Sequence, residues 1–224
     1  MSLLFITDFD GTVTLKDTVE EMVIHFAKGD WKSVNRLWEE RKLDTEETAR
    51  RVFAMFDADE KDIIQFLDKV EVDPYFALFA KEVKTYKDSL YIVSDGYDYL
   101  ISYLLEREGL KRIPFYANRM KIEGRKFFMK SGMPKADCGL CGTCKRKVMS
   151  CLKKPGQKLV FIGDGYSDIC AAGYADIVFA KDYLLDYCIE HKINCLGYQN
   201  FADILAWYQS EKKLMGGDNQ KDVE

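Results

Sequence analysis

Acidic residues follow three short apolar runs of this sequence, at the points where buried strands would end. They are Asp8 and Asp10 after residues 3–7, Asp95 after residues 90–93, and Asp164 and Asp168 after residues 159–162. A single Asp-Gly pair is an ordinary turn, but ligands of open α/β sheets bind where the carboxyl ends of several strands meet. Carboxylates crowded at that edge repel one another unless a cation holds them, and Mg²⁺ with a substrate phosphate suits such an oxygen-rich site.

The apolar runs alternate with helical patterns along most of the chain. Weaker strand candidates cover residues 113–117, 177–180 and 193–196, and helix candidates cover residues 97–109, 145–154 and 167–175. Alternating strands and helices are typical of an α/β protein with a doubly wound parallel sheet. We therefore expect the strands of one such sheet to position the acidic residues.

The stretch between the first two strong strands has a different pattern. Residues 17–86 show helical spacing of apolar side chains and no good strand, with a clear helix beginning at Thr45. The sequence predicts an α/β core in two pieces, residues 1–15 and 87–214, with an all-helical cap over residues 16–86 inserted between them. The polar residues 215–224 are expected to form a frayed tail.

The composition excludes several classes of protein. The chain has 224 residues, of which 47% are hydrophobic and 31% charged, so it can bury a core and is neither disordered nor collagen-like. The net charge of −4 gives no electrostatic case for a nucleic-acid partner. We find no membrane-spanning run and expect no signal peptide, and the seven cysteines are expected to be reduced thiols of a cytoplasmic protein.

Three cysteines, Cys138, Cys141 and Cys144, are spaced by three residues directly before a basic stretch. Reduced, inert thiols in a glycine-rich loop are one interpretation. A structural Zn²⁺ site is a second, with Cys151 as the fourth ligand that such a site requires. A disulfide or redox switch that controls a loop beside the acidic site is the third.

The acidic motifs resemble those of the haloacid-dehalogenase-like phosphatases, in the order expected along the chain. Residues 8–12 are similar to the first motif of that family, Ser94 to the second and residues 163–168 to the fourth. Lys145 fits the third motif best, with Lys147 as the alternative. The helical insertion is similar to the cap of the phosphoserine-phosphatase-like branch.

This resemblance implies a role for each matching residue. Asp8 would be the nucleophile that forms an aspartyl-phosphate, and Asp10 the general acid and base. Lys145 would neutralise charge on the phosphoryl group. Mg²⁺ would be held by Asp8, Asp164 and the backbone carbonyl of Asp10, with Asp168 as a ligand through water or a partner of the lysine. The implied substrate-binding residues are Gly11, Thr12, Asp17, Ser94, Asp95 and Gly96.

The expected substrate is a small phosphomonoester, because a helical cap would close over the phosphate site. Asp17 at the cap entry and Gly11 in the first motif differ from the Glu and Ser of phosphoserine phosphatases. Both resemble the branch that acts on a methionine-salvage enol-phosphate, which is the first expectation. The alternatives are a phosphoserine, phosphoethanolamine or phosphocholine phosphatase, a phosphotransferase, and an inactive scaffold whose cysteine cluster binds metal or responds to redox. Nothing in the sequence predicts the oligomeric state.

Overall fold

The computed structural model describes residues 2–133 and 139–217. Its strands are β1 (Ser2–Thr7), β2 (Ser89–Tyr97), β3 (Phe115–Glu123), β4 (Lys126–Lys130), β5 (Gln157–Gly163), β6 (Ile177–Ala180) and β7 (Leu196–Gly197). Within the described residues they form one seven-stranded sheet in the order β4-β3-β2-β1-β5-β6-β7. Neighbouring strands run parallel except β3 and β4, which form an antiparallel hairpin at one edge.

Strand β1 lies in the middle of the sheet because both of its faces are apolar. Leu3 and Phe5 pack into the core on one face, and Leu4 and Ile6 pack into the core on the other. A continuous apolar run of this kind is typical of a parallel strand that is covered on both sides by helices. The predicted α/β doubly wound sheet is therefore confirmed, with the antiparallel edge strand β4 as an addition.

Helices connect the strands. They are α1 (Thr18–Phe26), α2 (Trp31–Glu39), α3 (Thr45–Phe53), α4 (Glu60–Leu67), α5 (Phe76–Thr85), α6 (Asp98–Arg107), α7 (Lys145–Leu152), α8 (Ile169–Ala172), α9 (Asp182–Glu190) and α10 (Phe201–Gly217). A short 3₁₀ turn, Tyr166–Asp168, precedes α8. Among these helices, none has the length and apolar character needed to cross a membrane.

The first four helices after β1 all begin at an aspartate. The side chains of Asp17, Asp30, Asp44 and Asp59 each accept a hydrogen bond from a backbone amide in the first turn of α1, α2, α3 and α4. An aspartate in this position satisfies an amide that has no partner within the helix. These caps mark where four of the five helices between β1 and β2 begin.

Helix α5 packs on the sheet, although it lies within the predicted cap. The ring of Phe79 is 5.1 Å from that of Phe5 in β1 and 5.3 Å from that of Phe201 in α10. The division of the chain into a core and a cap at residue 86 stays a prediction. Residues 218–224 of the predicted frayed tail lie outside the described residues, and α10 extends to Gly217.

Helix α3 and the β3–β4 hairpin share a cluster of aromatic side chains. Phe53 of α3 lies 5.7 Å from Phe127 of β4 and 5.3 Å from Tyr97 at the end of β2, as measured between ring centroids. Phe56, just after α3, lies 5.2 Å from Phe127. These contacts hold α3 beside the carboxyl end of β2, where the acidic residues are found.

Candidate active site

The carboxyl ends of β1 and β5 bring three carboxylates together, as the sequence predicts. Asp8 follows β1, and its backbone amide continues the parallel ladder by donating to the Ile162 carbonyl at 2.9 Å. Asp164 and Asp168 follow β5. Each of the three aspartates offers one oxygen, and these oxygens lie within 4.8 Å of one another.

Lys145 is buried against two of these carboxylates. Its ammonium lies 2.8 Å from Asp8 Oδ2, forms an ion pair with Asp168, and donates to the Ser167 hydroxyl at 2.9 Å. These three partners match the three protons of the ammonium group. Lys147 lies two residues further along α7 and is half-buried. The geometry therefore favours Lys145 over Lys147 as the lysine of the site.

Asp168 holds this arrangement in place. One of its oxygens contacts Lys145, and the other accepts hydrogen bonds from the amides of Asp164 at 2.9 Å and Gly165 at 3.0 Å. A Cβ at Gly163 would collide with the Asp168 carboxylate, so the backbone of β5 must end in glycine here. Asp168 thus fits the predicted role of partner of the lysine.

The site fits a divalent cation. Asp8 Oδ1 and Asp10 Oδ1 are buried, and among the described residues neither has a hydrogen-bond partner. Buried polar atoms normally have a partner, and a bound cation would supply one. The donors are carboxylate oxygens, which Mg²⁺ prefers. Lys145 alone cannot neutralise Asp8, Asp164 and Asp168, so the charge balance also favours a cation.

Asp10 lies beside the second predicted motif. Its Oδ2 accepts a hydrogen bond from the Ser94 hydroxyl at 3.1 Å, and the Ser94 oxygen accepts one from the Gly96 amide at 2.9 Å. A Cβ at Gly96 would collide with Asp10 Oδ2. The glycine is therefore required for the close approach of β2 to Asp10.

The turn after Asp10 also needs a glycine. Gly11 has a φ of +75°, in the left-handed region, and a Cβ at this position would collide with the Asp164 carboxylate. The Thr12 hydroxyl donates to Asp164. This contact joins the first and fourth motifs, and it occupies the hydroxyl that the sequence assigns to the phosphoryl group.

Burial and crowding shift the ionisation of the cluster. Burial, together with the charge of Asp168, raises the pKa of Asp164 to about 7, and burial raises the pKa of Asp10 to about 7. The pKa of Asp8 is also raised by burial, and the nearby Lys145 opposes that shift. Burial alone would lower the pKa of Lys145, but Asp168 and Asp8 outweigh it and raise that pKa. The lysine is therefore a fixed positive charge.

Asp17 and Asp95 occupy different positions at the site. Asp17 lines the cavity above the carboxylates while its side chain accepts a hydrogen bond from the Glu20 amide at 2.9 Å. Asp95 also borders the cavity, but both of its carboxylate oxygens accept hydrogen bonds from protein groups. The structure thus leaves Asp95 with less capacity for substrate than the sequence predicts.

A cavity of about 290 Å³ opens above Asp8, between the strand ends and helices α1, α2 and α3. Its lining combines apolar, aromatic, uncharged polar and acidic side chains, and the described residues that line it include no lysine or arginine. The apolar side chains are Val19, Val23, Ala49 and Val52, and the aromatic ones are Trp31, Trp38, Tyr97 and Tyr166. The polar side chains from the helices and loops are Asn35, Thr45, Thr48 and Ser167, and the acidic ones are Asp17, Glu20 and Glu39.

Two residues of the predicted cysteine cluster, Cys141 and Cys144, lie among the described residues. Of the three predicted thiols, Cys138 lies outside the described residues. Cys144 is the N-cap residue of α7, directly before Lys145. The one group with metal-ligand spacing in the described part of the chain is Asp8, Asp164 and Asp168, which includes no cysteine. The Zn²⁺ and redox interpretations stay predictions.

Several residues of the site were not predicted. Ser167 accepts a hydrogen bond from Lys145 and lies within the fourth motif, so the signal for it was present. Thr45, Asn118 and Thr143 surround Asp95. They come from three distant parts of the chain, and no local pattern connects them.

Named relatives are similar to the chain over nearly its whole length. A 2-hydroxy-3-keto-5-methylthiopentenyl-1-phosphate phosphatase of Bacillus pumilus is 29% identical over 215 residues, which cover 92% of this chain and 91% of the relative. A protein of the same name from Bacillus cereus is 30% identical over 219 residues, which cover 96% of this chain and 98% of the relative.

Solved structures share the fold. A substrate-bound phosphoserine phosphatase complex superposes with a TM-score of 0.68 at 20% identity, over 92% of this chain and 98% of that chain. The family model described as haloacid dehalogenase-like hydrolase matches residues 5–173, which include all four predicted motifs. The chain therefore belongs to the haloacid dehalogenase-like hydrolase family.

Proposed function

We propose that the protein is a Mg²⁺-dependent phosphatase of small phosphomonoesters, and that Asp8 carries the phosphoryl group during the reaction. The observation that carries this proposal is the different surroundings of the two Asp8 carboxylate oxygens. Lys145 holds Oδ2 at 2.8 Å, while Oδ1 is buried without a partner among the described residues. A carboxylate with one oxygen fixed and the other without a hydrogen-bond partner is arranged to attack an electrophile or to bind a cation.

In the first step, an oxygen of Asp8 forms a bond to phosphorus as the bond from phosphorus to the leaving oxygen breaks. Asp10 gives its proton to that leaving oxygen. In the second step, Asp10 takes a proton from water as the water oxygen attacks phosphorus, and the bond from phosphorus to Asp8 breaks. A pKa of about 7 for Asp10 suits a group that both gives and takes a proton.

The remaining residues position the phosphoryl group and balance its charge. Lys145 offsets negative charge beside Asp8, and the Ser94 hydroxyl lies next to Asp10, where the phosphoryl oxygens would lie. Asp8, Asp164 and the backbone carbonyl of Asp10 would hold Mg²⁺. When bound, the ion reduces the repulsion between the anionic nucleophile and the anionic phosphate.

For the substrate, we propose an enol-phosphate of the methionine-salvage type. The relatives that carry this name support the assignment. The cavity supports it as well, because Val19, Val23, Ala49 and Val52 offer an apolar surface to an uncharged leaving group with a thioether. Phosphoserine is a weaker candidate, since its carboxylate would meet no cation among the described residues that line the cavity.

A cationic leaving group is the second candidate. Glu20 and Glu39 add negative charge to the cavity, and the rings of Trp31 and Trp38 offer faces that attract a cation. Phosphoethanolamine and phosphocholine have this chemistry.

A cytoplasmic location stays a prediction.

The test is phosphate release from a panel of phosphomonoesters, measured with Mg²⁺, with EDTA and with Asp8→Asn. The panel contains the methionine-salvage enol-phosphate, phosphoserine, phosphoethanolamine, phosphocholine and an aryl phosphate. We expect Mg²⁺-dependent release that is lost in Asp8→Asn, with the highest kcat/KM for the enol-phosphate. No release from any compound would instead favour an inactive scaffold, and transfer of phosphate to an added alcohol would favour a phosphotransferase.

A further inference from the structure

The carboxylate of Asp95 joins three separate parts of the molecule. Its Oδ1 accepts hydrogen bonds from the Thr143 amide at 2.8 Å and from the Asn118 side-chain amide at 3.0 Å. Its Oδ2 accepts one from the Thr45 hydroxyl at 2.9 Å. Asp95 lies in β2, Asn118 in β3 and Thr45 in α3, and Thr143 precedes Lys145 by two residues. The side chain of Asp95 therefore connects the sheet, an inserted helix and the loop that leads to the lysine.

The loop before Lys145 has little freedom at its Thr143 end. Thr143 is buried, and its hydroxyl donates to Asn118 Oδ1 at 3.0 Å. A Cβ at Gly142 would collide with the Asn118 side chain. Because Lys145 is the first residue of α7, the position of this loop fixes where the lysine side chain begins.

The inserted helix holds the same loop from the other side. The Thr45 amide donates to the Leu140 carbonyl at 2.9 Å. The Thr45 hydroxyl also accepts a hydrogen bond from the indole of Trp38 at 3.3 Å. Trp38 of α2, and Thr45 and Ala49 of α3, line the cavity, so a ligand there would contact the elements that hold Asp95.

We propose that Asp95 is a positioning residue that couples the docking of α3 to the placement of Lys145 beside Asp8. It acts through its hydrogen bonds to Thr45 and Thr143, and not through its charge on a substrate. The proposal rests on the proposed function for the role of Lys145. The coupling itself is a property of the fold, so it can be measured without turnover.

Asp95→Asn separates the two possible roles of this side chain. An asparagine can keep its oxygen toward Thr143 and turn its amide toward Thr45, whose hydroxyl can then donate to the Leu140 carbonyl at 3.2 Å. We expect kcat within about 3-fold of wild type for Asp95→Asn and at least about 10-fold lower for Asp95→Ala, since misplacement of a catalytic group has costs of this size. An Asp95→Asn variant as impaired as Asp95→Ala, with a raised KM, would overturn the proposal in favour of a charge on the substrate.

Thr45→Val tests the other end of the connection, in a variant that keeps the shape of the side chain. It removes the hydroxyl that donates a hydrogen bond to Asp95 Oδ2, so we expect kcat to fall about 10-fold with KM changed less than about 3-fold. Thr45→Ser keeps the hydroxyl and should restore kcat. Thr85→Val is the matched control, because the Thr85 hydroxyl is exposed and donates to the Lys81 carbonyl at 2.9 Å within α5, its one partner among the described residues.

Amide hydrogen exchange gives a measurement that is independent of activity. In Thr45→Val, exchange in the peptide that contains Thr143 should speed up by about 10-fold, while Thr45→Ser and Thr85→Val should match wild type. Unchanged exchange at Thr143 in Thr45→Val would overturn the proposal, whether or not kcat falls. If the wild-type protein released no phosphate, the proposed function would fail, and this exchange result would still decide the coupling.

Discussion

At the scale of single residues, Lys145 supplies the positive charge that offsets the carboxylates of Asp8 and Asp168. It is the one cation in contact with Asp8 and Asp168 among the described residues, and its side chain is buried with theirs. Removing one partner of a buried ion pair leaves the other charge unpaired in a medium of low polarity. The lysine is therefore needed both for the fold of the site and for the proposed chemistry.

We expect Lys145→Met to lower kcat by at least about 100-fold, because an electrostatic contact to the reacting group is lost. The free energy of unfolding should fall by about 3–5 kcal/mol in the absence of Mg²⁺, since buried carboxylates lose their partner. Steady-state kinetics and urea unfolding measure the two effects.

Lys147→Met is the control for this variant, because Lys147 lies on the same helix and is half-buried. We expect its kcat to stay within about 2-fold of wild type, as for a substitution away from the reacting groups. If Lys147→Met lost activity while Lys145→Met remained active, Lys147 and not Lys145 would be the lysine of the site.

The acidic residues of the site could be predicted, while their supporting residues could not. Asp8, Asp10 and Asp164 follow apolar runs, and parallel strands bring such positions to one edge of the sheet. Asn118 and Thr143 meet Asp95 only because β2, β3 and the loop before α7 pack together. Contacts between residues far apart in the chain leave no local pattern.

At the scale of elements, the aromatic cluster between α3 and the β3–β4 hairpin fixes one wall of the site. Phe127 is buried against Phe53 and Phe56, whereas the next residue, Phe128, points to the other face of β4 and is 46% exposed. Alternate residues of a strand point to opposite faces. Two adjacent phenylalanines thus offer a matched pair of test positions.

We expect Phe127→Ala to lower the free energy of unfolding by about 3–5 kcal/mol, because it leaves a cavity in a packed aromatic cluster. Phe128→Ala should change it by less than about 1 kcal/mol, as is usual for a surface position. Urea unfolding followed by circular dichroism measures both values. Equal losses in the two variants would contradict the packing described for α3 and the hairpin.

The sequence predicts some elements well because local signals agree. The predicted helix beginning at Thr45 matches the start of α3, where the Asp44 cap precedes regularly spaced apolar residues. Helix α10 was not predicted, although Phe201, Ile204, Leu205 and Tyr208 have helical spacing. Strand β4 was not predicted; it pairs antiparallel with β3 at the edge of the sheet, outside the alternation of strands and helices on which the prediction rests.

At the scale of the whole molecule, helix α5 shows what local patterns cannot reveal. Its apolar face is like that of any amphipathic helix, so the sequence placed it with the inserted helices. In the structure, Phe79 packs against Phe5 and Tyr208, on the sheet. Whether the apolar face of α5 packs on the sheet or on the other inserted helices depends on the packing of the whole chain. The sequence of residues 76–85 alone does not predict it.

The crowding of carboxylates also has a consequence for the stability of the whole molecule. Mg²⁺ that binds only the folded state should stabilise it by about 2.7 kcal/mol at 100 times its Kd. For a chain of this length, that corresponds to a rise in Tm of roughly 5–10 °C, which calorimetry with Mg²⁺ or EDTA would measure.

Asp164→Asn should reduce this rise in Tm, and its Tm in EDTA should be no lower than that of wild type, because one of the repelling carboxylates is gone. Asp186→Asn, an exposed aspartate of α9, is the control and should keep the full rise. An undiminished rise in Asp164→Asn would place the cation elsewhere.

The central claim, that Asp8 carries the phosphoryl group, is tested most directly by trapping the phosphorylated protein. The enzyme is mixed with the enol-phosphate and Mg²⁺, quenched in acid within one turnover and digested, and its peptides are analysed by mass spectrometry. We expect phosphate on the peptide that contains Asp8 in the wild-type protein and none in Asp8→Asn. Phosphate release in the wild type with phosphorylation at another residue, or with an Asp8→Asn variant that remains active, would contradict the account.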